Sequence, residues 1–345
     1  MADTMKAVWW TEPKKIELLH DVPIPQVQPG TAKIKMEYAA LCATDFHQVS
    51  MGVMNVVWTE PRAMGHEGCG VIVEMGPDTE NSGLKVGDKV AMTGGNRCGV
   101  CINCKRGLPN CLNMRMAPGG GGTFGQYRVT GVGGCQKIPD DADIMPYAIT
   151  EPLGCILRCF DLSPIHNGDS VLVSGVGAIG SIMLDMVIKS GAVKVTVSDP
   201  VPEKRALALA MGAQYVIDPS KEDLIARGRE ITDGYGYDKI YEVSGVPVTV
   251  QPCLDLLARA GTVAFFAVFP PTFEHPINLH TLYLKEAGIR FVFTHWNTGP
   301  RALDLIPRMQ TDKIIGKVYN LDDAMEAIDV FNTSVYPKIL LKCNP

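Results

Sequence analysis

Hydrophobic positions change their period part-way along the chain. Near the N-terminus, Ala32, Ile34, Met36 and Tyr38 alternate with Lys33, Lys35 and Glu37. A two-residue period predicts a strand with one buried face and one solvated face. Residues 71–73 and 89–91 are further short strands, with turn chemistry in GPDTENSG and VGD between them. The glycine-rich run 118–122 predicts a mobile loop rather than a packed element.

From about residue 150 the period lengthens. Residues 170–174 form a compact apolar strand, and Ile179, Ile182, Met183, Met186 and Val187 then recur at helical spacing. The alternation continues with a strand at 193–197, a helix at 203–211 and a strand at 214–217. A helix at 224–231, a strand at 239–243, a helix at 248–258 and a strand at 262–269 follow. Strands alternating with helices predict right-handed crossovers and a parallel sheet covered on both faces. From about Ile289 the pattern is mixed again, with one helical face at Leu321, Ala324, Met325 and Ile328.

Composition narrows the function. The 345 residues suggest about two domains, at roughly 100–200 residues each. A formal charge of −5, from 37 acidic and 32 basic residues, argues against nucleic acid or an anionic membrane as partner. No apolar run approaches the ~20 residues of a membrane span, and the N-terminal residues lack a secretory pattern. A cytoplasmic protein is the expectation. The eleven cysteines should then stay reduced, so clustered thiols suggest a metal and scattered ones suggest packing.

Gly175, Val176, Gly177, Ala178, Ile179 and Gly180 spell GxGxxG between the first apolar strand and its helix, with Asp199 at the end of the next strand. That context predicts a dinucleotide site. Gly175 permits the turn, Gly177 lets the backbone approach a pyrophosphate, and Gly180 lets helix and strand pack closely. The helix N-terminus presents free N–H groups to the phosphates. Asp199 would accept from a ribose 2′-hydroxyl and repel a 2′-phosphate, which predicts NAD. Arg205 stands either near the adenosine or on a solvated helix face.

Cys98, Cys101, Cys104 and Cys111 place four thiols in one short segment, a set that encloses a tetrahedral zinc with no open position. Cys42, His66, Glu67 and Glu151 are scattered, and mix sulfur, imidazole and carboxylate as a zinc site open to water or substrate does. Taken singly, Cys42 reads as a buried thiol and Glu67 as a solvated carboxylate.

The segments Cys42-Ala-Thr-Asp-Phe-His47, Gly65-His66-Glu67, Cys98 to Cys111, Thr150-Glu151-Pro152-Leu153-Gly154 and Gly175 to Gly180 occur in this order. In them the chain resembles the zinc-dependent medium-chain alcohol dehydrogenases, most closely the polyol (sorbitol), threonine and butanediol branch. The resemblance implies an α/β protein: a GroES-like β-barrel catalytic domain from residues 1–153 and 289–345, with a Rossmann domain at 154–288. It implies catalytic zinc ligands at Cys42 and His66, carboxylates at Glu67 and Glu151, and Asp45 orienting His66. It further implies a proton relay through Thr44 and His47, hydride transfer between NAD and a small alcohol or ketone, and a homodimer or homotetramer. Two positions depart from the family pattern: Ala43 replaces a glycine, and the thiol segment is one residue short.

Phe46, Trp58, Phe124 and Met116 are candidates for a pocket wall, and their apolar character favours a secondary alcohol or part-apolar diol over a long polyol. His295 and Trp296 read as a loop with a satisfied histidine. Cys69, Cys135, Cys155, Cys159, Cys253 and Cys343 read as packing. A zinc-free quinone or enoyl reductase of the same plan would have no use for the thiol ligands. A non-catalytic NAD-binding redox sensor would be metal-free too.

Overall fold

The computed structural model describes residues 3–12, 15–51, 62–94, 98–108, 111–113, 121–295 and 297–345. Trp58, Met116, Trp296 and residues 118–120 lie outside them. The first part of the chain forms β1 (Thr4–Glu12), β2 (Lys15–Pro23), β3 (Thr31–Ala40), α1 (Ala43–Met51), β4 (Arg62–Ala63), β5 (Glu67–Met75), β6 (Lys89–Met92), α2 (Ile102–Lys105), β7 (Tyr127–Gly131) and β8 (Cys135–Lys137). The middle forms α3 (Thr150–Leu162), β9 (Ser170–Ser174), α4 (Ala178–Lys189), β10 (Val193–Ser198), α5 (Pro202–Met211), β11 (Tyr215–Ile217), α6 (Leu224–Ile231), β12 (Tyr237–Glu242), α7 (Val250–Asp255), β13 (Leu257–Phe265), α8 (Leu279–Lys285) and β14 (Gly288–Phe291). The last part adds α9 (Gly299–Leu305), α10 (Thr311–Ile314), β15 (Ile315–Asn320), α11 (Ala324–Asn332) and β16 (Lys338–Lys342).

The middle strands build a six-stranded parallel sheet in the order β11-β10-β9-β12-β13-β14. β9 is buried along its whole length, as a strand covered on both faces must be. Val171 and Val173 enter one core with Ile182 and Met183 of α4, and Leu172 enters another with Val250, Cys253 and Leu254 of α7. The flanking parts of the chain build a seven-stranded sheet, ordered β15-β16-β3-β5-β6-β8 with β7 also on β3, and a three-stranded sheet β2-β1-β4. β16 pairs antiparallel with β3, Leu340 opposite Ala40, so the two ends of the chain close one sheet. The largest core contains Ala40, Cys69 and Leu340 together with Val171, Val173 and Tyr241 and so joins both sheets.

Several expectations need correction. β3 is not half-solvated, because neighbours cover it and Thr31 to Ile34 are all buried. Lys33 lies in this buried stretch and its ammonium is ion-paired with Glu74. The helix expected at 248–258 spans only Val250–Asp255, since Leu257 already pairs with Tyr237 in the parallel sheet. The following strand ends at Phe265, where the amides of Phe266 and Ala267 both turn onto the Glu242 carbonyl. Residues 289–291 belong to the six-stranded sheet, Ile289 opposite Val263, so the boundary expected at 289 falls too early. Of the glycine run, Gly122 is packed rather than loose: a Cβ there would lie 1.7 Å from the Met64 carbonyl oxygen. Met325 stays partly exposed while Leu321, Ala324 and Ile328 are buried.

Candidate active site

The Cys42 set is assembled by sheet register. Ala40 at the end of β3 lies opposite Glu67 at the start of β5, which brings the residues after β3 beside His66 and Glu67. Ligand atoms of Cys42, His66 and Glu67 lie within 4.8 Å of one another. The strap at Thr123 and Phe124 holds this corner, its amides donating to the Gly65 and Met64 carbonyls at 3.1 and 3.0 Å. A side chain at Gly65 would strike the Thr123 hydroxyl and the Phe124 ring, and φ there is +95°. Both reasons require glycine before the histidine.

α1 begins at Ala43 and carries Thr44, Asp45 and His47. Asp45 is buried, and its Oδ1 lies 2.8 Å from His66 Nδ1. This contact turns Nε2 toward a metal and fixes the ring, as a carboxylate behind a ligating imidazole does. Burial pulls the metal-free His66 imidazole down, but the Asp45 carboxylate and the Cys42 sulfur outweigh it and carry it well above its ordinary range. Burial and the Glu67 carboxylate push the Cys42 thiol up. Half-buried His47 is lowered by burial, so its ring favours the neutral form.

Lys338, at the start of β16, was not visible in the sequence as a site residue. The register pairing Leu340 with Ala40, continued two residues, sets it opposite Cys42. Its side chain is fully buried, with Nζ 2.5 Å from Glu67 Oε2. Burial works against the ammonium, but Glu67 and Cys42 hold it charged. Burial pushes the Glu67 carboxyl up against the opposing pull of Lys338. A lysine in a strand that otherwise reads KILLK carries no spacing signal.

Glu151 stands at the first turn of α3, outside the 4.8 Å group of Cys42, His66 and Glu67 but near enough for its charge to join burial in raising the Glu67 carboxyl. It groups instead with Cys155 and His295, the thiol sulfur and His295 Nε2 lying 3.6 and 3.8 Å from Glu151 Oε1. Cys155 is therefore not simple packing, whereas Cys69, Cys135, Cys159, Cys253 and Cys343 are buried as expected. His295 is buried too, yet among the described residues neither ring nitrogen has a hydrogen-bond partner, so the expected satisfied histidine is corrected. Phe124 is fully buried core, and Phe46 packs on Phe331 at a centroid distance of 5.2 Å.

The thiol lobe converges despite its missing residue. Cys98 and Cys104 sulfurs are 3.9 Å apart, as are those of Cys101 and Cys111. Zinc–sulfur bonds of about 2.3 Å at tetrahedral angles require edges of about 3.8 Å, so four thiolates fit one ion. Backbone amides already point at the sulfurs: Cys101 N–H donates to Cys98 Sγ at 3.3 Å and Cys104 N–H to Cys101 Sγ at 3.5 Å. The Cys104 and Leu112 amides lower the Cys101 thiol to about 6, and the Cys101 and Val100 amides lower Cys98. At Cys111 the Cys98 amide lowers the thiol, but burial and the neighbouring sulfurs outweigh it.

The glycine turn has the form a dinucleotide needs. Gly175 has φ +101°, and a Cβ on Gly180 would meet the Gly175 carbonyl oxygen at 2.1 Å. Gly177 has open space where its side chain would stand, and its neighbours Ala178 and Ile179 open α4. Asp199 is buried, with Oδ2 accepting from Val176 N–H and Oδ1 from Val201 N–H, both at 2.9 Å. Its carboxylate thus ties the glycine turn to the end of β10. Arg205 is not a solvated helix residue. It donates to the Asp199 carbonyl at 2.7 Å and pairs with Asp218 at 2.8 Å.

The chain is similar in sequence and fold to known proteins. The alcohol dehydrogenase GroES-like domain matches residues 28–140, and the zinc-binding dehydrogenase domain matches residues 178–308. The L-threonine 3-dehydrogenase of Pyrococcus furiosus is 32% identical over 99% of both chains. The (R,R)-butanediol dehydrogenase of Bacillus subtilis is 29% identical over 93% of this chain and 94% of its own. A solved zinc-binding dehydrogenase from Sinorhizobium meliloti, bound to NADP, superposes with a TM-score of 0.89 at 28% identity, covering 99% of each chain. With thiols, imidazole and glycine turn set as described, the chain belongs to the zinc-dependent medium-chain alcohol dehydrogenase family, in its polyol and threonine dehydrogenase branch.

Proposed function

We propose that this protein oxidises a small secondary alcohol or vicinal diol to the ketone, and catalyses the reverse reduction, with zinc and NAD. The observation that carries the reading is Cys42, His66 and Glu67 converging with Asp45 behind the imidazole. Zinc held there supplies a Lewis acid that eases loss of the alcohol proton, and NAD supplies the hydride acceptor.

The chain's own groups do the rest. Cys42 and His66 hold the metal, and Asp45 keeps His66 in the ligating tautomer. Glu67, charge-balanced by Lys338, adds a carboxylate without leaving a bare buried anion. Thr44 would take the alcohol proton at its hydroxyl as it gives up its own toward His47, whose ring burial keeps neutral and able to accept it on the way to solvent. Glu151 serves the same cleft from α3, which packs on α4 behind the glycine turn. Gly175 to Gly180 cradle the pyrophosphate, and Arg205 braces Asp199 at the ribose.

The catalytic domain is then built from both chain ends, and the NAD domain from about residue 154 to 291. Eleven cysteines outside any disulfide, five of them offered to zinc, suit a reducing cytoplasm. Two copies associate through the β14 edge, where Phe291 is 74% exposed; Tyr283 of the preceding helix α8 is 80% exposed. Light scattering of wild type and Phe291→Asp tests the dimer, which the variant should weaken.

Purified enzyme offered secondary alcohols, diols, polyols and β-hydroxy amino acids should reduce NAD with a short secondary alcohol or diol. Turnover of none of these, or of long polyols alone, sinks the substrate assignment. Asp199→Asn should cut the preference for NAD over NADP by roughly tenfold, because the charge that repels a 2′-phosphate is gone. Better turnover with NADP in the wild type would overturn the cofactor assignment.

A further inference from the structure

β9 runs from Ser170 into the glycine turn at Gly175. At its other end, the first residues of β9, β10, β12 and β13 line a cavity of about 620 Å³. Lys194, Arg229, Arg259 and Lys285 lie on its wall, against one carboxylate, Asp238. Asp238 Oδ2 already accepts from the Ser170 amide and hydroxyl at 2.8 and 2.7 Å, and Lys194 is ion-paired with Asp233. The other three cations form no ion pair among the described residues and rest on backbone carbonyls. Arg229 donates to those of Gly234 and Asp255 at 3.3 and 3.1 Å, and Arg259 to that of Leu284 at 3.2 Å. Lys285 Nζ donates to those of Leu254, Asp255 and Leu257 at 3.0, 3.0 and 2.8 Å. Burial and the nearby Arg229 charge push the Lys285 ammonium down, against the pull of Asp255.

We propose that this cavity binds a phosphate-bearing small molecule, as free phosphate or its ester, independently of the dinucleotide. Three cations without a carboxylate counter-ion supply the charge that a dianion neutralises. Arg229 and Arg259 keep most of their N–H donors unspent among the described residues, and a planar guanidinium fork matches adjacent phosphate oxygens. Lys285 has its donors engaged and adds charge alone. The volume falls in the range of about 300–1,000 Å³ typical of small-molecule sites, which leaves room for an organic body on the phosphate. Tyr235, 81% exposed at the rim, offers that body a ring. Lys194, and Ala260 just after Arg259, hold φ of +48° and +57°, a left-handed backbone that a residue with a Cβ adopts at a cost. Such strain persists only where the surrounding structure fixes it, so the rim is preformed. The five residues of β9, at roughly 3.3 Å each, put about 17 Å between this end and the glycine turn, so both sites fill at once.

Calorimetric titration of zinc-loaded enzyme, saturated with NADH in phosphate-free buffer, tests this. The probes are ribose 5-phosphate, inorganic phosphate and ribose. Wild type should bind one ribose 5-phosphate per chain, and ribose should not bind. Tighter binding of the ester than of inorganic phosphate identifies an ester as the occupant, and the reverse order identifies the free ion; either supports the site. Arg229→Gln and Arg259→Gln should each weaken binding by about tenfold or more, as loss of a hydrogen bond between charged groups implies. If loss of the Arg229 bonds prevents folding, Arg259→Gln decides alone, since that exposed side chain donates only to Leu284 among the described residues. In both variants kcat and the KM values for alcohol and NAD should stay within about twofold, as expected of distant sites without shared partners. Absence of binding by either phosphate in wild type overturns the proposal, as does binding of equal strength in the folded variants. Ribose that binds as tightly as its phosphate overturns it too. Phosphate that binds only when NADH is left out occupies the dinucleotide site, which is a further refutation. A chain that binds the ester but turns over no alcohol refutes the proposed function and leaves this site standing.

Discussion

In the thiol lobe, four sulfurs come from the fourteen residues between 98 and 111, and the short helix α2 with its amide-to-sulfur bonds positions them locally. In the Cys42 set, the ligands come from the end of β3 and the start of β5, with Asp45 supplied by α1 and Lys338 by β16. One metal site is a property of a loop, the other of a folded sheet. The lobe should therefore tolerate damage elsewhere. The Cys42 set should fail whenever β3, β5 or β16 shifts, because a one-residue slip turns every side chain to the other face.

The contrast is broken most severely at Cys42. Cys42→Ser should abolish zinc at that set and lower kcat/KM by at least about a thousandfold, as loss of several kcal/mol of Lewis-acid stabilisation implies. Metal analysis with steady-state kinetics checks this, and an active variant lacking that zinc would refute the chemistry. Lobe zinc should be unchanged in the same preparation, since no lobe ligand comes from β3.

Asp45→Asn should act through His66. A carboxylate bonded to the far nitrogen of a ligating imidazole typically contributes ten- to a hundredfold in metal affinity, and a loss of that size is expected here. Competition with a chromogenic chelator measures it. Affinity equal to wild type would mean that the 2.8 Å contact orients nothing.

These tests follow the line between what was legible in the sequence and what was not. CxxCxxC and GxGxxG are local, so spacing alone identified the lobe and the turn between β9 and α4. Cys42, His66 and Glu67 could be grouped only by resemblance, because sheet register and not chain proximity joins them. Lys338, Cys155 and the open ring of His295 were missed for the same reason: each gains its meaning from a partner over 140 residues away or from a helix face seen only once packed. Lys33 was misread because alternation reports period, not how many neighbours cover a strand. β14 was misplaced because four residues at a sheet edge carry too weak a pattern to reveal their pairing.

Cys104→Ser sharpens the other half of the comparison. Zinc in the lobe should be lost and thermal stability should fall, while kcat of the folded enzyme stays within about twofold, because a closed thiolate site takes no part in the chemistry. Calorimetry and kinetics on one sample decide it. A kcat that collapses without loss of folded protein would tie the lobe to the active site.

Acid should weaken zinc at both sites. The lobe meets zinc partly ionised, with Cys101 at about 6 and Cys98 also lowered. The Cys42 set meets it protonated, since the Cys42 thiol is pushed up and metal-free His66 is carried well above its ordinary range. Each proton that zinc must displace costs about tenfold in apparent affinity per pH unit, so Cys42 and His66 together give roughly a hundredfold per unit. Against the Cys98 amide, burial and the neighbouring sulfurs push Cys111 up, so the lobe has a proton to displace as well, and zinc should weaken at both sites as pH falls from neutrality. Metal-free stability runs with the opposite sign. In the metal-free fold, the raised His66 contributes stability in full below its unfolded value of about 6.5 and loses it as pH rises through the higher folded value. Zinc-loaded protein gains stability over that window as proton competition fades. The difference in Tm between loaded and metal-free enzyme should widen from pH 6.5 upward in wild type. It should widen less in Asp45→Asn, where His66 has lost the carboxylate that raises it. A difference independent of pH would mean that zinc displaces no proton from His66.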